Sequence, residues 1–439
     1  MASGTPSDGD RAWETLRALP LGQRIELTDA SGRRWDGTVI PPNEFSGPRV
    51  LTLKLESGYN VGVTIGPGIR FAIVGAPPAP ATVARTTVAP PGGTSGAVAL
   101  LTTGGTIASR VDYETGGVRP VNTPAEILDF YPELRDAGPV RIVPVFDKMS
   151  EDIAPDDWLA LATQVVAAFR DGARGVVIAH GTDTLGYTAA ALSFLLRDLP
   201  GPVVLVGAQR SPDRPSSDGP SNLAAAVAVA RDPRLAEVVV VMHEGLSDGR
   251  YAIHPGTRVR KMHSSRRDAF ASRNGPPLGR VEDGRVELRR PPRPPSTGPP
   301  TVDGPIDVRA ALVWSYPGLT AERLSRHAEG ARGVILAGTG LGHVPGSLLP
   351  WIRSATEAGT VVAMTTQCLE GNADPYVYTT GRELLRAGTV YLRDLLPETA
   401  FAKLVWALGH ARDRDGVVRL LLEDRAGEFS ERHPPDGGA

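Results

Sequence analysis

Residues 97–109 read AVALLTTGGTIAS, and this stretch decides which fold we expect. A short apolar run, Val98 to Leu101, leads into threonines around a Gly104-Gly105 pair, as a buried strand does where it enters a loop. Apolar, β-branched runs recur downstream and alternate with segments of helical spacing, which predicts a parallel sheet covered by helices on both faces. Because open α/β sheets bind ligands at the carboxyl ends of their strands, this loop is a candidate site.

The alternating strands and helices fall into two groups. The first contains the predicted strands VRIVPVF, GVVIAHGTDT, PVVLVGAQ and EVVVVMHE, and a helix in APDDWLALATQVVAAFRDG that has Pro155 early and Gly172 just past its end. After a proline-rich stretch, the runs RAALVWSY, GVILAGTG and TVVAMTTQ repeat the pattern more briefly. They predict a second, smaller α/β domain.

The first part of the chain has a different pattern. Five short runs rich in Val, Ile, Thr and Leu lie between residues 22 and 74, and turn residues such as Ser31-Gly32 and Gly66-Pro67 separate them. Strands of this length and spacing predict a small β-barrel. Since it carries no evident catalytic cluster, we interpret it as a docking or scaffolding unit.

Proline-rich stretches separate these units, because such composition does not build a core. The predicted division is an N-terminal extension (1–21), a small β-barrel domain (22–74), a Pro/Ala-rich linker (75–96), a larger α/β domain with the candidate catalytic residues (97–288), a Pro-rich linker (289–305), a smaller C-terminal α/β domain (306–432) and a disordered tail (433–439).

Composition limits the possible functions. A hydrophobic content of 41% and a charged content of 22% are typical of soluble globular proteins. The net charge of −2 gives no global basic field for nucleic acid or an anionic membrane. The one cysteine, Cys368, excludes an intramolecular disulfide. Without a recognisable secretory signal or a run of about 18 apolar residues, we expect a cytoplasmic protein without a membrane span.

The Gly-Gly loop has two candidate roles. A phosphate-binding loop would need a lysine after the glycines or a third glycine at dinucleotide-motif spacing, and GGTIAS has neither. The alternative is a nucleophile: the Thr106 hydroxyl would project into the crevice beside backbone N–H groups that could form an oxyanion hole. Because a threonine hydroxyl is a poor nucleophile, this role requires a nearby base.

Lysine is rare in this sequence. Lysine and arginine together number 47, yet only four are lysines: Lys54, Lys148, Lys261 and Lys403. Arginine does not lose its proton in proteins, whereas lysine does. Each lysine is therefore a candidate proton acceptor.

Two more polar clusters follow strands of the predicted sheet. The segment HGTDT (180–184) supplies the Thr182 hydroxyl and the Asp183 carboxylate, and GAQRSPDRPSSDGPSN (207–222) follows the next strand. All three clusters should converge on one crevice. An aspartate beside a lysine can hold the ammonium form or, in a dry site, help the lysine to release its proton.

The pair TTGGTIAS and HGTDT resembles the paired signature of the bacterial-type L-asparaginases, a family that includes glutaminases. The resemblance implies Thr106 as the acylated nucleophile and Thr182, Asp183 and a lysine as the activating relay. It also implies that Ser150 and Glu151, in VFDKMSEDIAPDDW, bind the α-amino and α-carboxylate groups of the substrate. By the same resemblance, Tyr113 in SRVDYETGG belongs to a lid loop over the site.

The resemblance identifies the relay lysine as Lys261, in VRKMHSSRRDAFAS (259–272). Composition and resemblance point to this residue independently. The alternative is a solvated basic loop, since Arg258, Arg260, Arg266 and Arg267 lie nearby. Those arginines could contact tRNA phosphates or form a charged rim around the substrate carboxylate, and we favour the rim.

Further motifs resemble the GatD family, the amide-hydrolysing subunits of archaeal-type glutamyl-tRNA(Gln) amidotransferases: RVRKMHSSRRDAF, GTGLGHVP, TTQCLEG and LLPETAFAKLVWALG, together with the small N-terminal β domain. The resemblance implies an asparaginase-like α/β core, with a larger parallel-sheet domain and a smaller C-terminal α/β domain, behind a small β-barrel. It also implies a homodimer that hydrolyses glutamine or asparagine and passes ammonia to a partner, GatE, which carries the kinase and transamidase activities.

In that family ATP and Mg²⁺ belong to the partner GatE, so we expect no cofactor in this chain. Two other functions stay open. One is a stand-alone asparaginase or glutaminase that is not coupled to tRNA. The other is a non-catalytic binding module, which the set Thr106, Thr182, Asp183 and Lys261 disfavours because binding alone does not require it.

The histidines and the cysteine receive other roles. We interpret His180 as a hydrogen-bonded loop histidine, and we take His243, His254 and His263 to be dispersed in a loop-rich region. None has partners at metal-ligand spacing, so we predict no metal site. Cys368 is expected to be packed rather than catalytic.

Overall fold

The computed structural model describes residues 8–42, 47–55, 60–75, 96–104, 109–111, 118–120, 138–210 and 217–430. Two predicted site residues, Thr106 and Tyr113, lie outside the described residues. Most of the predicted linker 75–96 and the tail from 433 also lie outside them.

A small β unit opens the chain and confirms the five predicted strands. They are ordered β4-β3-β2-β1-β5, each antiparallel to its neighbours. A helix that the sequence analysis did not predict precedes them, and its Leu16 is fully buried in the core of the unit. The bounds are α1 (Asp8–Arg17), β1 (Arg24–Thr28), β2 (Arg34–Ile40), β3 (Val50–Leu55), β4 (Asn60–Thr64) and β5 (Arg70–Val74).

The large domain follows from β6 onward. Its strands are β6 (Val98–Thr102), β7 (Ser109–Val111), β8 (Val118–Pro120), β9 (Val140–Pro144), β10 (Gly175–Ala179), β11 (Leu196–Arg197), β12 (Val203–Val206), β13 (Val238–His243), β14 (Arg250–Pro255), β15 (Val259–Lys261), β16 (Phe270–Ser272), β17 (Gly279–Glu282), β18 (Arg285–Leu288) and β19 (Thr301–Val302). Its described α-helices are α2 (Pro155–Arg170), α3 (Leu185–Leu195) and α4 (Gly219–Ala230).

Eight of these strands form the main sheet, in the order β18-β17-β14-β13-β12-β10-β6-β9. The five neighbouring strands β13, β12, β10, β6 and β9 are parallel, as predicted. Every residue of β6, β10, β12 and β13 is buried, so both faces of the sheet are covered. The antiparallel edge of β14, β17 and β18 was not predicted. In β17 and β18 charged residues alternate with apolar ones, which is typical of an edge with one exposed face rather than of a buried strand.

The C-terminal domain is smaller, as predicted. Its four parallel strands have the order β20-β21-β22-β23. The bounds are β20 (Ala310–Trp314), β21 (Gly333–Gly338), β22 (Val361–Thr366), β23 (Val390–Tyr391), α5 (Ala321–His327), α6 (Leu349–Glu357), α7 (Thr379–Arg386), α8 (Pro397–His410) and α9 (Arg414–Leu422).

Helix α8 joins the two α/β domains. It packs along α3 of the large domain and against the strands of the smaller sheet. At the contact with α3, the ring of Trp406 stacks on that of Phe194 with 6.2 Å between centroids. Segment 289–305, predicted as a linker, packs against the large domain. In this segment β19 pairs with β11, and Asp303 forms an ion pair with Arg197 at 2.9 Å.

In the described residues, no helix combines the length and apolarity that a membrane crossing requires.

Candidate active site

The site lies where parallel strands end side by side. Thr102 at the end of β6 is in register with Ala179 at the end of β10, which is in register with Val206 at the end of β12. Beyond the strands, the Thr103 N–H donates to the Ala179 carbonyl at 3.2 Å and the His180 N–H to the Val206 carbonyl at 2.9 Å. The segments that follow these strands therefore start at one edge of the sheet.

His180 holds the turn that follows β10. Its Nδ1 lies 2.6 Å from the Gly181 carbonyl, which only accepts, so Nδ1 donates and Nε2 accepts from the Thr188 hydroxyl at 2.9 Å. Burial lowers the pKa of His180 to about 4, so the ring is neutral at neutral pH. The interpretation of His180 as a hydrogen-bonded histidine is confirmed.

Lys261 reaches this turn from a hairpin of β15 and β16. It is the last residue of β15 and pairs with Phe270. Its Nζ lies 2.8 Å from the Thr182 Oγ1 and 2.7 Å from the Asp183 Oδ1. The Lys261 side chain is only 16% exposed, so the alternative of a solvated lysine is wrong.

Ser150 comes to the same turn from the short 3₁₀ helix Ser150–Asp152. Its hydroxyl lies 3.4 Å from the Asp183 Oδ2 and accepts the Asp183 N–H at 3.3 Å, while its carbonyl accepts the Thr184 hydroxyl at 2.6 Å. A Cβ at Gly181 would stand 2.7 Å from the Ser150 Cβ, so only glycine permits this approach. Glu151 is exposed beside Ser150.

Gly104 makes room for the segment that carries Ser150. Its φ is +90°, and a Cβ there would lie 2.6 Å from the Lys148 carbonyl oxygen. The Lys148 N–H donates to the Thr103 carbonyl at 3.0 Å, and its Nζ is 2.8 Å from both carboxylate oxygens of Asp157. Asp157 also accepts the Ala154 N–H at 2.8 Å, which fixes the start of α2.

Together these contacts place an amine between a hydroxyl and a carboxylate. A proton can pass between the Thr182 hydroxyl and the Lys261 amine across 2.8 Å. The Asp183 carboxylate, 65% exposed, stabilises the ammonium form and still faces the open side of the site. This arrangement can activate a hydroxyl nucleophile in the way that general-base-assisted acyl transfer requires.

Comparison with known proteins agrees with this arrangement. Residues 97–294 match the family model "Asparaginase, N-terminal", residues 309–421 match "Glutaminase/Asparaginase C-terminal domain", and residues 19–72 match "GatD N-terminal domain". The GatD subunit of the glutamyl-tRNA(Gln) amidotransferase of Pyrococcus furiosus is 44% identical over 415 residues, which cover 94% of each chain. That of Thermococcus kodakarensis is 46% identical over 420 residues, 94% of this chain and 95% of its own.

The chain belongs to the GatD family of glutamyl-tRNA(Gln) amidotransferase subunits.

Solved structures resemble the core of this GatD family member. The thermostable L-asparaginase from Thermococcus kodakarensis has a TM-score of 0.70 and 35% identity, covering 76% of this chain and 99% of its own. L-asparaginase I from Vibrio cholerae has a TM-score of 0.65 and 30% identity, with the same coverage. The asparaginase-like core predicted from the sequence is confirmed.

Several sequence interpretations of this GatD family member need correction. His243 and His254 do not lie in a loop-rich region: they belong to β13 and β14 and are buried, and burial lowers the pKa of His254 to about 3. Both histidines follow runs of apolar residues, and these runs could have indicated buried strands. Cys368 is exposed rather than packed, because it follows the end of β22 in a surface turn.

The arginines near Lys261 also differ from expectation. Arg258 is buried and forms an ion pair with Asp394 at 3.1 Å, and Arg260 pairs with Glu398 at 3.2 Å. Both partners belong to the C-terminal domain, so these two arginines join the domains and form neither a substrate rim nor a phosphate patch. Sequence reasoning also missed the polar residues around His243, which lie behind the site.

Proposed function

We infer that this chain is the amidohydrolase subunit of a tRNA-dependent amidotransferase. It releases ammonia from an amide donor, glutamine or asparagine, and a partner subunit uses the ammonia to convert Glu-tRNA(Gln) to Gln-tRNA(Gln). The observation that carries this inference is the Lys261 amine held between Thr182 and Asp183 in a GatD family member. A stand-alone asparaginase or glutaminase is the alternative.

The proposed reaction has two halves. In the first, the Thr106 Oγ forms a bond to the side-chain carboxamide carbon, the C–N bond breaks, and the proton of the Thr106 hydroxyl reaches the leaving nitrogen through Thr182 and Lys261. Ammonia leaves and an ester to Thr106 remains. In the second half water attacks this ester and the relay takes its proton; the C–O bond to Thr106 breaks, the relay returns the proton to the Thr106 oxygen, and the acid product leaves.

The assignment of Thr106 rests on its position in the sequence. It follows Gly104 by two residues, and Gly104 packs against the segment that carries Ser150. A hydroxyl on this loop is the acceptor of the acyl group in the proposal, and the Thr182 hydroxyl passes its proton on to the Lys261 amine.

The ends of the substrate are assigned to Ser150, Glu151 and Asp183. Ser150 orients the Asp183 Oδ2, and the exposed Asp183 carboxylate suits the α-ammonium group of an amino acid. Glu151 lies next in sequence and is also exposed, so it can contribute a second oxygen. Tyr113 is proposed to cover the bound donor.

The remaining proposals concern assembly. A partner of the GatE type would hold ATP and Mg²⁺ and make most tRNA contacts, which agrees with the net charge of −2 of this chain. We further propose a homodimer in the cytoplasm, with no resident cofactor or metal in this chain.

The experiment measures ammonia release from glutamine and asparagine by the purified chain, alone and with GatE, ATP and Glu-tRNA(Gln). Release stimulated by these components supports the coupled function, whereas release indifferent to them favours the stand-alone enzyme. The Thr106→Ala variant should lose release in both settings. Unchanged turnover of that variant would refute Thr106 as the nucleophile.

A further inference from the structure

A buried polar network lies behind the candidate site, at the ends of β12 and β13. Its centre is formed by Asp218 and Asn222 at the start of α4 and by His243, the last residue of β13. All three are fully buried. The mechanism above gives no role to any of them.

The Asn222 amide fixes the proton on one nitrogen of the His243 ring. Its Nδ2 donates to the Gly207 carbonyl at 3.0 Å and to the Asp218 Oδ2 at 3.1 Å, and both of these oxygens accept. The Asn222 Oδ1 therefore faces His243 Nδ1, at 2.6 Å. Because an amide oxygen only accepts, Nδ1 must donate.

The other ring nitrogen faces a carboxylate. His243 Nε2 lies 3.1 Å from the Asp248 Oδ1, which also accepts from Arg267 Nη1 at 2.9 Å. The hydrogen bond from His243 holds the pKa of Asp248 below its usual range, so this group is ionised and only accepts. Every hydrogen bond of this network therefore forms only when both ring nitrogens carry protons, as in an imidazolium.

The network contacts the surroundings of both Thr182 and Lys261. On one side, the Gly207 backbone held by Asn222 lies against Thr182: a Cβ at Gly207 would stand 2.6 Å from the Thr182 Cγ2. On the other side, Arg267 lies in the turn 262–269, which closes the hairpin at whose edge Lys261 sits. One chain of hydrogen bonds thus connects the Gly207 backbone, against which Thr182 packs, to the hairpin that carries Lys261.

We propose that His243 is a positioning residue, and that its imidazolium form joins Asn222 to Asp248 and so fixes the distance between the Thr182 hydroxyl and the Lys261 amine. In this role His243 never touches the substrate. The activity readout of the proposal rests on the amidohydrolase function proposed above. Loss of one ring proton would leave Nδ1 or Nε2 facing an acceptor without a hydrogen bond.

Groups from several elements surround the His243 ring. Asp248 lies beside it in the loop after β13, and Tyr251 of β14 contacts the ring edge-on at 4.8 Å between centroids. From α4, Asp218 acts through Asn222, and from the hairpin turn, Arg267 acts through Asp248. The Asp248 carboxylate and the Asn222 amide oxygen are thus the two acceptors that face the ring nitrogens.

Nitrogen NMR of the full-length chain, labelled with ¹⁵N at histidine, tests the protonation state directly. The His243→Gln variant assigns the resonances of this ring among the eight histidines. We expect both ring nitrogens of His243 to carry protons at neutral pH, in contrast to the neutral ring of His180. A singly protonated His243 ring at neutral pH would overturn the proposal.

Asp248→Asn tests the positioning role, because Asp248 is 67% exposed and its replacement leaves the core intact. We expect kcat for ammonia release to fall by about 10- to 100-fold with KM within about threefold, as displaced reacting groups produce.

The matched control is Asp171→Asn, the same change of carboxylate to amide at an exposed side chain just after α2 that pairs with Arg141, and it should leave kcat unchanged. An unchanged kcat in Asp248→Asn would refute the positioning role of His243. An inactive wild-type chain would instead refute the proposed function, and the positioning role with it. A singly protonated His243 in an active chain would refute only the positioning role of His243.

Discussion

Replacing Lys261 by methionine removes the amine while keeping a flexible side chain of similar length. The substitution abolishes the contacts of Nζ with Thr182 at 2.8 Å and with Asp183 at 2.7 Å. Asp183 is mainly exposed, so it stays hydrated after the amine is lost. The loss of ion pairing should therefore cost at most about 1 kcal/mol of unfolding free energy.

The catalytic effect should be much larger. A positioned general base accelerates a reaction by about 10²- to 10⁴-fold, which corresponds to about 3 to 5 kcal/mol of activation free energy. We expect ammonia release by Lys261→Met to fall within this range. Lys261→Arg should lose nearly as much, since it keeps the charge beside Asp183 but does not release its proton.

The assay follows ammonia from glutamine and asparagine under saturating donor, together with the thermal midpoint of unfolding of each variant. Lys54→Met is the matched control, because Lys54 lies on β3 of the small N-terminal sheet and should leave turnover unchanged. If Lys261→Arg retained full activity, the amine would serve only as a positive charge and the proton-transfer reasoning would be refuted.

Three further predictions concern Gly207, His180 and Lys403. Gly207→Ala should lower kcat, because the new Cβ would stand 2.6 Å from the Thr182 Cγ2 and displace that residue. Steady-state turnover checks this, and an unchanged kcat would show that the backbone at residue 207 moves away and leaves Thr182 in place. Lowering the pH from about 6.5 towards 4 should destabilise the fold, because the pKa of His180 is about 4 when folded and 6.5 otherwise, so the unfolded chain binds the proton first. His180 should contribute about 3 kcal/mol to the loss that urea unfolding measures, and His180→Gln should reduce the pH dependence by that amount; an equal dependence of stability on pH in wild type and variant would contradict it. Lys403→Met should cost about 3 to 5 kcal/mol, since it leaves the fully buried Glu428 without its partner at 2.5 Å, and adding Glu428→Gln should recover part of the loss in the same urea assay; no recovery would show that the unpaired charge is not the cause.

The parallel strands were predictable because they are buried on both faces and read as continuous apolar runs, such as Val98 to Leu101. Lys261 was predictable for a different reason: in an arginine-rich chain a retained lysine stands out, and its motif resembles a known family. The structure adds the distances to Thr182 and Asp183, which a sequence does not contain.

The antiparallel edge and the His243 network were not predictable in the same way. The residues of β17 and β18 alternate apolar and charged side chains over only four positions each, too few to distinguish a strand from a loop. The partners of His243 come from α4 and from the loop after β13, at separations of 21 and 5 residues. Such a contact depends on how the strands are ordered in the sheet, and no local pattern encodes that order.

The arginines beside Lys261 show the same limit. Sequence proximity placed Arg258 and Arg260 at a ligand, but their partners Asp394 and Glu398 are more than 130 residues away along the chain. Their role in joining the two domains became evident only from the tertiary structure.

In the proposed function, the Thr182 hydroxyl held by Lys261 takes part in amide hydrolysis. The most direct measurement compares ammonia release from glutamine and asparagine by the wild-type chain and by Thr182→Val, which keeps the methyl group that packs against Gly207 and removes only the hydroxyl. We expect release by the wild type and a loss of at least about 100-fold in the folded variant. Equal release by both chains, or none by the wild type with its partner present, would contradict it.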